Sequence, residues 1–449
     1  MAQISQMALR LSVKSVSSVD SFFKYIRTMR KILSVCLYFL SLWSVLSSAS
    51  LHGQVNADSW PQFRGPLDNG ISLAKKVPLH WSDSTNISWK TAIPGRGWSS
   101  PVVLNGQVWL TTASTDGREF SVIGINCQTG SILQNIKVFE ATPTQETHPL
   151  NSFASPTPVI EPGRLYVHFG TYGTACINTE NGKILWQRTD IHCDHGVGPG
   201  SSPIIYKDLL ILTMDGVDVQ FLEALDKKTG KTVWKKSRII DFGDLTPDCH
   251  KAFSTPVVAR IDNIDQLISA GPHVLEAYQP LTGELIWKVR YEGFSASARP
   301  VIGNGMAYIN TGFGQSWVLA IRLGGKGDMT DKSIVWSSKK NMTARSSPLL
   351  IDGLLYMVNT AGQAKCLDAL TGAEIWTQRV GLETSASPVY AGGNIYTSDE
   401  TGLTTIFAPG RTFNKIAENN LPDGCMGSMA VLDGAIYLRT KGWLYRVGR

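Results

Sequence analysis

"SSPLLIDGLLYMVNTAGQAKCLDALTGAEIW", Ser346 to Trp376, is the stretch on which the reading of the fold turns. It opens with a proline that starts an apolar run. It continues as alternating apolar and polar residues broken at "DG" and "TG", and it ends in GxxxW. Alternation with a period of two between turn dipeptides is the pattern of short antiparallel strands joined by tight turns, so this unit predicts a sheet of four short strands.

Outward from that copy, the proline signature recurs along the chain, at Pro101, Pro158, Pro203, Pro256, Pro300, Pro348 and Pro388, each after a small or polar residue or two. An eighth copy, "GSMAVL", has Met429 in the proline slot. Successive spacings are 57, 45, 53, 44, 48, 40 and 41 residues. Self-similarity with a period near 45 marks a propeller or an array, and four strands per unit select the propeller. GxxxW recurs at Trp186, Trp234, Trp287 and Trp376, while Trp336 and Trp89 lack the glycine and Gln134 fills the slot in the first unit. A tryptophan at one fixed place per unit suits a flat ring wedged between neighbouring sheets, with its N–H needing one partner.

These repeats resemble the quinoprotein-like (PQQ-like) β-propeller family, whose units read roughly "SPVVxxGxVYxxxxDGxxxALDxxTGxxxW". The Ser346–Trp376 copy matches along its length, and weaker copies cover about residues 89 to 449. The resemblance implies an all-β, eight-bladed propeller of four-stranded antiparallel blades. It extends to two branches: BamB-like assembly factors, which bind partners without catalysis, and quinoprotein dehydrogenases, which hold pyrroloquinoline quinone at the ring centre. The final units lack a GxxxW strand and Trp89 precedes the first anchor, so "NISWK" is expected to supply the outer strand of the last blade and close the ring.

Composition fits a globular chain: 449 residues, 43% hydrophobic and 17% charged. The net charge of +6 does not point to nucleic acid, because residues 1–50 hold six basic residues against Asp20 alone and supply +5 of it. That segment reads as a targeting signal, with Arg27, Arg30 and Lys31 before the apolar run Ile32 to Leu46 and small residues after it. Cleavage near Ala49 or Ser50 is expected, with an uncleaved anchor as the rival and Met29 as an alternative start. Residues 51–449 then form one exported domain, periplasmic or otherwise in the cell envelope, monomeric and without a membrane span.

Export makes the six later cysteines informative. Cys127, Cys176 and Cys366 fall in strand positions and read as core, and Cys425 as a free thiol. Cys193 and Cys249 sit in two of three adjacent lengthened links between blades: Gln134 to Pro158 is 24 residues, Trp186 to Pro203 is 17 and Trp234 to Pro256 is 22, against 12 or 13 in four others. These links also carry His148, His192, His195 and His250, which places "DIHCDHGVGPGSSP" (Asp190 to Pro203) and "DCHKAF" (Asp248 to Phe253) beside each other at a channel mouth. Three readings stand for these loops: a disulfide between Cys193 and Cys249; a metal site of His192, His195 and His250 with Cys193 or Cys249, whose ligand types suit a metal although the spacing is not diagnostic; or histidines bonded to backbone or water, the commonest fate of loop histidines. Arg96, Trp98, His148, Asn151, Asp194, Asp215, Arg299 and Arg345 are the candidate ligand-binding residues, with Asp218 and His273 expected on the same face.

Two functions follow. The first is an exported, non-enzymatic propeller that binds an envelope protein, a glycan or a small ligand at this mouth. The second is a quinoprotein oxidoreductase or a metal-dependent enzyme. The family's dehydrogenases stack the quinone on adjacent cysteines, hold calcium with acidic and amide side chains and use an Asp base. Here no two cysteines are adjacent, and no nucleophile elbow, phosphate loop or nucleic-acid module is present.

Overall fold

The computed structural model describes residues 59–142, 145–314, 316–339, 342, 345–432 and 434–449. The expected targeting segment, with the run Ile32 to Leu46, lies outside the described residues. Every anchor immediately precedes the first strand of a sheet, from Pro101 before Val102–Leu104 to Met429 before Ala430–Leu432. A proline is tolerated there because this innermost strand is an edge that needs no N–H at its first residue.

Eight sheets result, and in all but the last the strands run in sequence order from axis to rim. In the sixth blade these are Leu349–Ile351, Leu354–Val358, Gln363–Asp368 and Glu374–Arg379. The second strand is buried throughout because neighbouring blades cover both of its faces, which explains its unbroken apolar run. Hairpins of type I′ character join first to second strands: Asn105 and Gly106, Asn304 and Gly305, and Asp352 and Gly353 all have positive φ. The last blade takes its outer strand from Ile87–Ala92, which pairs antiparallel with Trp443–Gly448, so the ring closes as the sequence predicts. One addition was not expected: Gly327–Asp328 adds in parallel to the outer strand Leu285–Arg290 of the fourth blade.

The tryptophans join blade to blade. The Nε1–H of Trp89, Trp186, Trp234, Trp336 and Trp376 donates to a carbonyl in the third-to-fourth strand turn of the following blade, at 2.9–3.1 Å. For four of them the "TG" glycine of that turn, or the corresponding Gly, lies against the ring: a Cβ on Gly130, Gly230, Gly283 or Gly372 would sit 2.6–2.7 Å from an indole carbon. Gln134 does the same work in the first blade through its amide, which donates to the Thr179 carbonyl at 3.4 Å. Trp287 differs, donating to Gln266 within its own sheet.

Candidate functional site

The residue before each anchor faces the axis, and seven of these eight positions carry a hydroxyl: Ser100, Thr157, Ser202, Thr255, Ser347, Ser387 and Ser428, with Arg299 as the eighth. They form a collar. The backbone N–H of Ser100 donates to the Thr157 hydroxyl, Thr157 to Ser202 and Ser202 to Thr255, at 2.9–3.0 Å. On the other side of the ring, Arg299 donates to Ser347, Ser347 to Ser387 and Ser387 to Ser428, each at 2.9 Å. The polar residue of the repeat signature therefore completes the inner-strand hydrogen bonding that the proline cannot supply.

Beneath the collar the channel is closed by a strap, residues 59–72. Trp60 exchanges backbone hydrogen bonds of 2.8 Å with Val103 of the first blade, and the Pro61 carbonyl accepts from Ile160 of the second. Across the axis, Arg64 donates to the carbonyls of Pro388 (2.6 Å) and Pro348 (3.1 Å), and Ser72 meets Tyr390 and Val431. Arg299 fixes the middle, donating to the Phe63 carbonyl at 2.8 Å and to Asp68 at 2.9 Å. Arg64 and Arg299 are only 2% and 1% exposed, and burial together with the Arg299 charge pushes the Arg64 guanidinium down to about 9.

Above the strap is a cup of about 430 Å³, with Phe63 in its floor and residues from all eight links in its wall. Its aromatic lining is Trp98 beside the first blade and Phe253, Phe294 and Phe313 beside the fourth and fifth. Lys251, paired with Asp248, and Arg345, 3.1 Å from Glu400, are its cations. Gly200 has to be glycine, since a Cβ there would meet Phe253 at 2.8 Å. "DIHCDHGVGPGSSP" does lie beside "DCHKAF".

Of the candidate residues, Trp98, His148, Asn151 and Arg345 line the cup. Asn151 is a clamp, its Nδ2 donating to the Val197 and Pro199 carbonyls. Arg96 braces the rim, 5.1 Å from the Trp98 ring centre and donating to the Pro149 carbonyl. Arg299 works under the floor. Asp194 stays local, accepting from the Gly196 N–H, and Asp218 accepts from the Asp194 N–H. Asp215 is buried with both oxygens on Arg238, which also reaches Glu276 and Ser269, so it is a core ion pair and faces no ligand.

The structure does not bring the three histidines together. His192 is exposed and bonds to Thr171. His195, 5% exposed, accepts from the Thr171 N–H and lies 3.5 Å from the Cys193 sulfur. His250 stacks on Phe242 at 3.9 Å, and the His273 Nε2–H donates to the Cys249 carbonyl. Among the described residues no cluster of three or more His, Cys, Asp or Glu could hold a metal, and Cys193 and Cys249 are free thiols. Adjacent loops were legible, but the direction of each side chain within them was not. The strap went unread in the sequence; its signal is "WPQFRGP", Trp60 to Pro66, aromatic and basic residues ahead of the first repeat.

Fold and cup together define a quinoprotein-like eight-bladed propeller with its axis sealed at one end. The chain belongs to the family described as outer membrane protein assembly factor BamB, whose model matches residues 78–189 and 218–447. Among solved structures, BamB from Moraxella catarrhalis is similar, with a TM-score of 0.56 at 14% identity, covering 81% of this chain and 99% of that one. Quinohemoprotein alcohol dehydrogenase from Comamonas testosteroni is similar at a TM-score of 0.61 and 10% identity, covering 88% and 82%. The computationally designed Ika8 protein aligns at 0.56 and 10% identity, covering 80% and 98%. These likenesses are of fold. No curated protein sequence matches the chain.

Proposed function

We propose that this chain is an exported, non-catalytic binding protein of the cell envelope that holds its ligand, or part of a partner, in the axial cup. The observation that carries this reading is the cup itself: a concave site of ligand size, open at one end, with an aromatic lining over a ring of hydroxyls. Family membership and the basic, then apolar, N-terminal segment support the envelope location. Among the described residues no helix is long and apolar enough to cross a membrane.

The similar dehydrogenase structures raise a quinone reading, and the cup's residues do not fit it. No cysteine lines the cup, its carboxylate Asp248 is held by Lys251, and both ends of the Asn151 amide are engaged. A calcium ion draws on carboxylate and amide oxygens, and among the described lining residues the carboxylate of Asp248 and the amide of Asn151 are already engaged. The test is a thermal-shift panel of peptides, sugars and small organic ions on wild type and on the Trp98→Ala, Phe294→Ala double variant. Compounds should raise the melting midpoint of wild type and not of the variant; equal responses would remove the cup from the function.

A further inference from the structure

The cup offers free hydroxyl protons, while its carboxylate and amide groups are already engaged. Thr157, Ser202, Thr255, Ser387 and Ser428 each accept a backbone N–H on the hydroxyl oxygen, and among the described residues none donates its own O–H to a protein acceptor. A hydroxyl has one proton to give, so these protons are available to the cup. The Ser100 hydroxyl, also in the lining, makes no hydrogen bond among the described residues. The acceptors that could balance them are in use: the Asn151 carbonyl oxygen takes the Ser152 N–H and the Ser155 hydroxyl, and Asp248 is bound to Lys251.

Charge points the same way. Arg345, Lys251 and Arg299 have Glu400, Asp248 and Asp68 as counter-charges. Two further guanidinium groups have none among the described residues. Among the described residues, Arg64 under the floor bonds to the carbonyls of Asn69, Pro348 and Pro388, and Arg439 behind the wall to Ser99 and the Thr111 carbonyl. Both are 2% exposed, and the Nε of each is buried without a partner. A surplus of positive charge in a low-dielectric interior favours an anion entering the cup. A neutral polyol would gain nothing from this charge, and an organic cation would be repelled.

We infer that the cup binds a carboxylate carried on an apolar body, with the carboxylate at the hydroxyl collar and the body against Trp98, Phe253, Phe294 and Phe313. A small organic acid and the free C-terminus of a peptide ending in an apolar residue share this chemistry. The inference rests on the cup being the binding site, as proposed above.

Isothermal titration of the full chain tests it with matched probes: 3-phenylpropionate and its methyl ester, and an acetylated tripeptide ending in phenylalanine as free acid and as amide. Each acid should bind at least roughly tenfold more tightly than its neutral counterpart, the factor expected when charge-assisted hydrogen bonds are lost. A tighter peptide acid assigns the source as a chain end, and a tighter phenylpropionate assigns it as a small acid. Ser100→Ala removes one free O–H without breaking the collar, and it should narrow the acid-to-ester ratio several-fold with the melting midpoint unmoved. Ester and amide binding as tightly as the acids would overturn the inference while leaving the cup a binding site. No acid binding at millimolar concentration, or an equal loss of acid and ester in Ser100→Ala, would overturn it too.

Discussion

His195 shows what a single residue in an inserted loop does once the fold has closed over it. Burial pushes its imidazole down from 6.5 to about 4, against a smaller upward pull from Asp194 and Asp218. The neutral ring is the folded form, and protonation favours the unfolded chain. Its contribution is therefore complete above pH 6.5 and is lost as pH falls towards 4. That difference is worth about 3 kcal/mol. Urea unfolding across this window should show wild type losing stability more steeply than His195→Gln, whose amide can still accept from the Thr171 N–H; parallel slopes would mean the ring is not buried neutral. His168, lowered to about 3 by burial and then by His195, should extend the residual slope further into acid in both proteins. At this scale sequence reading succeeded on residue type and failed on direction. Three histidines in adjacent loops suggested a metal, yet one points outward, one inward and one onto Phe242. Asp215 was likewise chosen as a polar residue near a turn, and only the packing of Arg238 against it shows that it is core.

Among the elements, the outer strands were the most legible part of the chain, because each performs the same physical task. The indole of one blade covers the turn glycine of the next and bonds to a carbonyl of that turn, so tryptophan and glycine are selected together. Trp234→Ala should cost about 4 kcal/mol through lost burial and the cavity left behind. Gly283→Ala should cost about 2 kcal/mol, since φ is +68° and its Cβ would meet Trp234 at 2.7 Å. The double variant should fall short of the sum by about 1 kcal/mol, because removing the ring relieves the clash. Additive losses in denaturant unfolding would show that ring and glycine do not act on each other. The strap escaped notice for the opposite reason: it is unique in the chain, and its side chains bind backbone carbonyls that no residue pattern marks.

The whole molecule is held as a ring by two separate closures, the Ile87–Ala92 strand at the rim and the strap at the axis. Arg64→Ala removes three donated hydrogen bonds and the volume that fills the channel, and should cost about 3 kcal/mol. Hydrogen exchange locates the effect: the Val103 and Ile160 amides, bonded to Trp60 and Pro61 of the strap, should exchange faster, while amides paired within blades keep their protection. Uniform exchange at all sites would mean that Arg64 supports the ring as a whole and not the strap. Both closures draw their strands from residues 59–92 and their partners in part from residues 388–448. A ribosome releases the first group long before the second. Residues that will seal the axis and finish the last sheet must wait, with Trp60, Phe63 and Trp89 uncovered, until almost the whole chain has been made or has crossed into its compartment. The ring can then be completed only late, and a chain cut short near its C-terminus leaves the rim strand without Trp443–Gly448 and the strap without its contact to Val431.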